Sequence, residues 1–319
     1  MTALNIVDLS IVVPVYNEVG NLPEFLTRVV PILVHSVESY EIIFCVDPSI
    51  DGTENLIEHA HSLNPNIKMI KFSRRFGQPT ATLAGLELCS GRAALVMDVD
   101  LQDPPELIPE LLAKWKEGFA VVYAKRRHRD GETWLKKLTS KVGYGLIDKF
   151  GDVKIPRDTG DFRLLDRIVI DELKRFPEAH GFLRGLVALV GYKQTEVIFD
   201  RPARHSGKGN YNRFFGSFKI GLNGIVGFSS ALLNLSTVLG FLAAVTSFVL
   251  GASYVLLQIL DQSFPIGNPT IVAVVLFVGG LQLICLGIIG QYIGRIYDEV
   301  KRRPRYIIDE LVGLSKSIS

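Results

Sequence analysis

Two stretches of this 319-residue chain hold no Asp, Glu, Lys or Arg: one between Lys219 and Asp261, the other between Asp261 and Arg295. Each exceeds the roughly 20 apolar residues needed to cross the hydrocarbon core of a bilayer. A helix satisfies its own backbone in lipid, so the stretches predict two transmembrane helices, near residues 232–260 and 270–293. A buried helical hairpin of a soluble domain is the alternative, and it fits poorly with runs so long and so free of charge. The stretch 261–269 between the spans contains no cation, whereas Arg295, Lys301, Arg302, Arg303 and Arg305 follow the second. Cytoplasmic flanks concentrate Lys and Arg, so both termini are expected in the cytoplasm, on a multi-pass protein of the cytoplasmic (inner) membrane. Residues 1–10 lack the basic start and apolar core of a signal peptide, in keeping with that orientation.

Upstream, short apolar runs alternate with helical patterns. Strands are expected at 10–15, 41–46, 67–72, 94–97 and 120–123, and helices at 21–36, 53–62, 80–89 and 105–117, with Asn21 and Thr53 as caps. Strand and helix in alternation imply an α/β fold with a mainly parallel sheet covered on both faces. The net charge of +2 comes without a dense basic tract, which argues against nucleic acid as a partner. Cys45, Cys89 and Cys285 have neither metal-site nor disulfide spacing and read as packing residues.

Open α/β sheets bind ligands beyond the carboxyl ends of their strands. Asp98-Val99-Asp100-Leu101-Gln102-Asp103 stands there, directly after an apolar run. Carboxylates one residue apart suit a hard divalent cation bridging the phosphates of a nucleotide; a solvated turn before Pro104-Pro105 is the competing reading. After the first strand comes Val13-Pro14-Val15-Tyr16-Asn17-Glu18, where Pro14 withholds a donor and is expected to end the strand, leaving Tyr16, Asn17 and Glu18 in the edge loop. Asp47 ends the second strand, within reach of a base or ribose. Helix capping and turn formation account equally well for Asn17, Ser49 and Asp51 taken singly. Two further stretches, 134–150 and 211–228, mix aromatic and aliphatic residues with lysines or precede the first span; they read as interfacial helices or as core-facing ones.

Taken in order, Val13–Glu18, Val46-Asp47-Pro48-Ser49-Ile50-Asp51-Gly52-Thr53, Asp98–Glu106 and Thr159-Gly160-Asp161-Phe162-Arg163-Leu164, followed by a two-helix anchor, resemble the family 2 glycosyltransferases. Within them the chain is most similar to the polyprenyl-phosphate glycosyltransferases, which include dolichol-phosphate mannose synthases and bactoprenol glucosyltransferases. The resemblance implies a Rossmann-like, A-type nucleotide-diphosphate-sugar glycosyltransferase domain at 1–210, a juxtamembrane segment at 211–230, two transmembrane helices at 231–295 and a cytoplasmic tail at 296–319. It implies nucleotide contacts from Pro14, Tyr16, Asn17, Glu18, Asp47 and Asp98. It also implies Mg2+ or Mn2+ held through Asp98, Asp100 and Gln102, and a catalytic Asp161. Arg126, Lys136, Ser140, Arg201 and Arg204 are candidates for an acceptor phosphate, a solvated basic rim being the alternative for each. The implied reaction is inverting transfer of one sugar, glucose from UDP-glucose, to undecaprenyl or another polyprenyl phosphate. Another nucleotide sugar or a noncatalytic membrane scaffold is the alternative. Small residues at Gly279, Gly280, Gly287 and Gly290 allow close helix packing, and a homo-oligomer is expected. Two departures stand out: the family's Asp-Gly-Ser is Asp47-Pro48-Ser49 here, and its Ser-Lys pair is Gly209-Asn210.

Overall fold

A computed structural model of the chain describes residues 6–127, 159–176, 183–200, 231–260 and 268–314. The apolar runs become strands β1 (Leu9–Val15), β2 (Tyr40–Val46), β3 (Ile67–Phe72) and β4 (Ala93–Val96). They pair in parallel as β4-β1-β2-β3. Burial on both faces explains why β1, β2 and β4 are near-continuous hydrophobic segments. Helices α1 (Leu22–Ser36), α2 (Thr53–Leu63) and α4 (Ile108–Lys116) cover one face. Helices α3 (Gln78–Leu88), α5 (Arg167–Arg175) and α6 (Leu183–Val190) cover the other.

The sheet is mixed rather than mainly parallel: among the described residues β5 (Val121–Arg126), β6 (Thr159–Asp166), β7 (Gln194–Phe199) and β8 (Ile308–Val312) bring it to eight strands in the order β7-β5-β6-β4-β1-β2-β3-β8. Strand β6 lies antiparallel between β4 and β5, while β7 pairs in parallel with β5. Strand β8 comes from beyond the apolar helices and closes the far edge, antiparallel to β3.

Pro14 does not end β1. It sits inside the strand, paired with Cys45. Val12 O accepts from Met97 N on the β4 side and Val15 O accepts from Asp47 N on the β2 side. Peptide directions alternate, so the nitrogen of Pro14 turns to the β4 side, past the last β1–β4 pair, Val12 with Val96. The expected caps are also revised. Asn21 occupies the N-cap position of α1 without a side-chain cap bond, its amide donating instead to Glu18 Oε2 at 2.5 Å. Thr53 is the first residue of α2, and the capping oxygen is Asp51 Oδ1, which accepts from Thr53 N at 3.1 Å and Thr53 Oγ1 at 2.6 Å.

Helix α3 lies close on the sheet at Gly85, where a methyl group would stand 2.4 Å from Val12 Cγ1 and 2.6 Å from Cys45 Sγ. Both neighbours are fully buried and cannot yield. Gly85→Ala is therefore expected to destabilise the chain by about 1–3 kcal/mol, overpacking outweighing the gain in helix propensity. A thermal melt checks this, and an unchanged or raised midpoint would contradict it.

Helices α7 (Ala231–Ile259) and α8 (Asn268–Val300) are long and apolar enough to cross a membrane. The thiol of Cys285 on α8 donates to Ser236 O on α7 at 3.7 Å. Phe241, Phe248, Val274 and Phe277 stand exposed, and almost nothing in either span is buried by protein. A bare apolar surface of that length belongs in lipid, not in the core of a soluble domain.

Candidate active site

The register brings the four motifs to one edge. β1 and β2 end together at the pair Val15–Val46, which delivers Tyr16 and Asp47 side by side. The last β4–β6 pair is Val96 with Arg163, two residues short of Asp98 on one strand and of Asp161 on the other. Lys125 pairs with Thr159, which sets Arg126 at the same edge.

The first two loops are sewn to each other. Asn17 takes a left-handed conformation, φ 53°, that Asn tolerates better than most residues. From there Asn17 N donates to Ser49 Oγ at 3.1 Å, and Asn17 Oδ1 accepts from Ile50 N at 3.0 Å. Glu18 N donates to Thr53 Oγ1, and Val19 N donates to Asp51 Oδ2, each at 3.1 Å. Ser49 Oγ donates to Asp47 O at 2.9 Å. Pro48 thus sits between residues whose positions are fixed by side-chain bonds, and the loop does not depend on glycine there.

Asp47, 3% exposed, receives Phe76 N on Oδ1 and Gly77 N on Oδ2, each at 2.9 Å. It anchors the loop after β3. The Arg75 guanidinium lies 3.9 Å from the centre of the Tyr16 ring, a cation–π contact, and Gln78 Nε2 donates to Asp98 Oδ1 at 2.9 Å. The loop at 73–78 therefore touches three of the expected nucleotide residues: Tyr16, Asp47 and Asp98. In the sequence the run Ser73-Arg74-Arg75-Phe76-Gly77-Gln78, following the third strand, reads as a candidate contact for phosphate or sugar, with no role assigned to Arg75.

Asp98 N donates to Asp103 Oδ2 and Gln102 N to Asp100 Oδ1, both at 3.1 Å. Between them Leu101 is buried with φ 61°, a conformation a leucine rarely adopts, so the backbone of this acidic loop is held under strain. All donors here are oxygens, which fits Mg2+ or Mn2+ rather than a soft metal. Among the described residues no three acidic, His or Cys side chains converge on one point. A cation of this kind would share its shell with phosphate oxygens and water, as Mg2+ commonly does.

Asp161, on β6, lies among guanidiniums. Arg184 Nε, from the first turn of α6, donates to Asp161 Oδ1 at 2.9 Å, and Arg163 Nη2 is 4.0 Å from the same oxygen. Arg163 is 4% exposed and also donates to Gly160 O at 2.7 Å. Arg126 reaches over Gly160, where a methyl group would meet its Nη2 at 3.3 Å. Burial by itself raises a carboxyl pKa, but Arg184, with Arg163 and Arg126 behind it, outweighs burial and holds Asp161 below the usual carboxylate range. Burial likewise brings Arg163 down to about 10, Asp161 opposing the shift. The result is a fixed anion set among cations, where a second anion would be well received. Arg184 was missed in the sequence; a lone cation in the apolar helix LRGLVALV was its signal. Lys136, Ser140, Arg201 and Arg204, with the amphipathic stretches 134–150 and 211–228, lie outside the described residues.

Acidic loops at the carboxyl edge of this α/β sheet, in a chain that goes on to two helices of membrane length, are the arrangement of a membrane-associated glycosyltransferase. The chain belongs to glycosyl transferase family 2, whose model matches residues 10–174, and residues 238–296 match the GtrB C-terminal hairpin. An uncharacterized glycosyltransferase of Synechocystis sp. is 43% identical, over 97% of this chain and 96% of its own. A prophage-derived bactoprenol glucosyl transferase of Shigella flexneri is 39% identical, over 94% of this chain and 97% of its own. Glucosyl-3-phosphoglycerate synthase of Mycobacterium tuberculosis, solved with Mn2+ and uridine diphosphate, superimposes with a TM-score of 0.49 at 19% identity, over 69% of this chain and 78% of that one.

Proposed function

We propose that the protein transfers one sugar from a nucleotide diphosphate sugar, with UDP-glucose as the donor, to the phosphate of undecaprenyl or a related polyprenyl lipid. The observation that carries this reading is the setting of Asp161, ringed by Arg184, Arg163 and Arg126 at the edge that also bears Asp98. The half-buried guanidiniums of Arg126 and Arg184, with Arg163 buried beside Asp161, suit a phosphate oxyanion, and the apolar hairpin supplies a reason for that phosphate to belong to a lipid. The bactoprenol glucosyl transferase relative supports the same acceptor class.

In this reading Tyr16, Asn17, Glu18, Asp47 and Asp98 frame the nucleotide. Asp98, Asp100 and Gln102 would hold Mg2+ or Mn2+, which neutralises charge building on the diphosphate leaving group. Arg126 and Arg184 orient the acceptor phosphate for in-line attack, which inverts the anomeric centre. A carboxylate held below its usual range is a weak base, and a phosphomonoester is largely ionised at neutral pH, its second pKa being about 6. Asp161 therefore orients the arginines and stabilises positive charge developing on the sugar, rather than removing a proton.

Strand β8 follows α8 yet pairs with β3, and a chain that crosses a membrane twice returns to the side it left. This supports one face for both termini and the catalytic domain, and the cations after α8 favour the cytoplasmic face. Among the described residues nothing lies within 4 Å of a methyl group placed at Gly279, Gly280, Gly287 or Gly290, which leaves this stripe of α8 open to a second copy in a homo-oligomer.

The test offers purified protein undecaprenyl phosphate and a panel of labelled nucleotide sugars, and counts label in the organic phase. Label from UDP-glucose that disappears with EDTA and returns with Mg2+ or Mn2+ is the expected result. Label from a different donor would replace glucose, and no label from any donor with folded protein would overturn the transfer.

A further inference from the structure

The loop at 73–78 is gripped from two sides. On one it meets Asp47, Tyr16 and Asp98. On the other it meets the segment that follows the second apolar helix. Ser73 N donates to Ile307 O at 3.0 Å, extending the β3–β8 ladder into the loop. The Tyr306 ring packs edge-on against Phe72 at 5.8 Å, and Phe72 packs in the same way against Phe76 at 5.9 Å, the residue whose amide Asp47 holds. Tyr306 is itself pinned: its hydroxyl donates to Glu87 Oε2 at 2.5 Å, and Arg305 Nη1 lies 3.3 Å from Glu87 Oε1 while Nη2 donates to Phe176 O.

A second route reaches the other nucleotide loop. Asp309 of β8 stands 3.9 Å from Lys71 Nζ, and Lys71 bonds Glu54 at 2.9 Å. Glu54 Oε1 in turn accepts from Ser49 N at 3.1 Å. The hydrogen bond to Glu54 raises Lys71, and that bond with Ser49 N lowers Glu54 against the opposing effect of burial.

We propose that residues 305–312 are a positioning element of the donor site: docked on β3, they hold the 73–78 loop against Asp47 and Asp98, so that donor affinity depends on the chain that emerges from the membrane. This rests on the reading of that edge as the nucleotide site. Because the element arrives from α8, a catalytic domain separated from its anchor segment would retain its fold-determining strands yet bind donor poorly. Acceptor binding, at Arg126 and Arg184 on the far side of β4, is left unaffected.

The experiment compares the full chain with Tyr306→Ala, Tyr306→Phe and a truncation after Arg303 that keeps both helices. UDP affinity is measured by calorimetry with Mg2+, and donor KM, acceptor KM and kcat by transfer. Truncation is expected to weaken UDP binding and raise donor KM about 10- to 100-fold, and Tyr306→Ala to do so about tenfold, the usual range for partners that orient a site without touching the ligand. Tyr306→Phe keeps the ring contact and should stay near the unmodified protein. A peptide spanning 304–314, added to the truncated chain, should restore affinity. UDP binding that is unchanged in Tyr306→Ala, or donor and acceptor KM rising together, would overturn the inference; if truncation prevents folding, the two Tyr306 variants decide. An unmodified protein that binds neither UDP nor GDP would overturn the donor reading and this inference with it, whereas one that binds UDP no better than its variants overturns this inference alone.

Discussion

Replacing Asp161 by Asn is expected to lower sugar transfer by about 10²–10³-fold while leaving UDP binding in place, the loss typical of one removed electrostatic stabiliser. Asparagine keeps the shape and drops the charge. Arg184 then loses its charged bond at 2.9 Å, and Arg163, 4% exposed, loses the carboxylate charge that opposes the effect of its burial. The three guanidiniums repel and the acceptor phosphate is misplaced, so kcat falls more than donor KM rises. The same arrangement fixes the pH dependence. A carboxylate whose pKa is lowered is ionised above that value and is lost only as pH falls through it, below the ordinary carboxylate range. An acid limb near pH 6 would therefore belong to the second ionisation of the acceptor phosphate, and residual activity of Asp161→Asn should keep it. Transfer assays across pH on both proteins check this. A variant as active as the unmodified protein would remove Asp161 from the reaction; one whose acid limb vanishes would restore it as a general base.

The central strands and their helices were legible in the sequence because β1, β2 and β4 are buried on both faces and write that burial as unbroken apolar runs. Strand β6 was not, since it opens on Thr159-Gly160-Asp161, whose polarity serves the site rather than a core. Strand β8 was hidden for another reason. IDELV alternates weakly, and its partner β3 lies more than two hundred residues upstream, a pairing that no local pattern reports. The site divides in the same way. As candidates, Asp47 and Asp98 were read from motifs at strand ends and Asp161 from the resemblance of Thr159–Leu164 to the family, but what holds them was not. Asp47 binds two amides of a loop from another strand, and Arg184 reaches Asp161 from a helix that motif reading passed over. Pro48 shows a converse case. Proline in place of the family's glycine left the backbone of this loop open in the sequence, whereas in the structure Asn17, Ser49 and Asp51 fix it through side chains.

The largest loss of stability is expected at the opposite end of the sheet, from Glu41→Ala. Glu41 is 1% exposed near the amino end of β2 and gathers the neighbouring strand starts. Its Oε1 accepts from Ser10 Oγ at 2.5 Å, Ser90 N at 2.6 Å and Ser90 Oγ at 2.9 Å, and its Oε2 accepts from Lys68 Nζ at 2.6 Å. Ser10 Oγ in turn accepts from Gly91 N at 2.8 Å, which ties in the start of β4. Alanine orphans a buried hydroxyl and a backbone amide, and leaves Lys68 to swing toward water, at a cost of about 3–5 kcal/mol. Burial would raise Glu41, but Lys68, Ser10 and Ser90 together hold it below the usual carboxylate value. A lowered folded-state pKa means that its contribution is fully present above the unfolded value, about 4.3, and is lost as pH falls through the folded one. Melting of the detergent-solubilised chain should therefore drop below that pH, and Glu41→Gln should flatten the drop. Since this network lies across the sheet from Asp47, Asp98 and Asp161, the protein that remains folded should keep its donor KM. A loss under about 1 kcal/mol in Glu41→Ala would show that water, rather than Glu41, satisfies these groups.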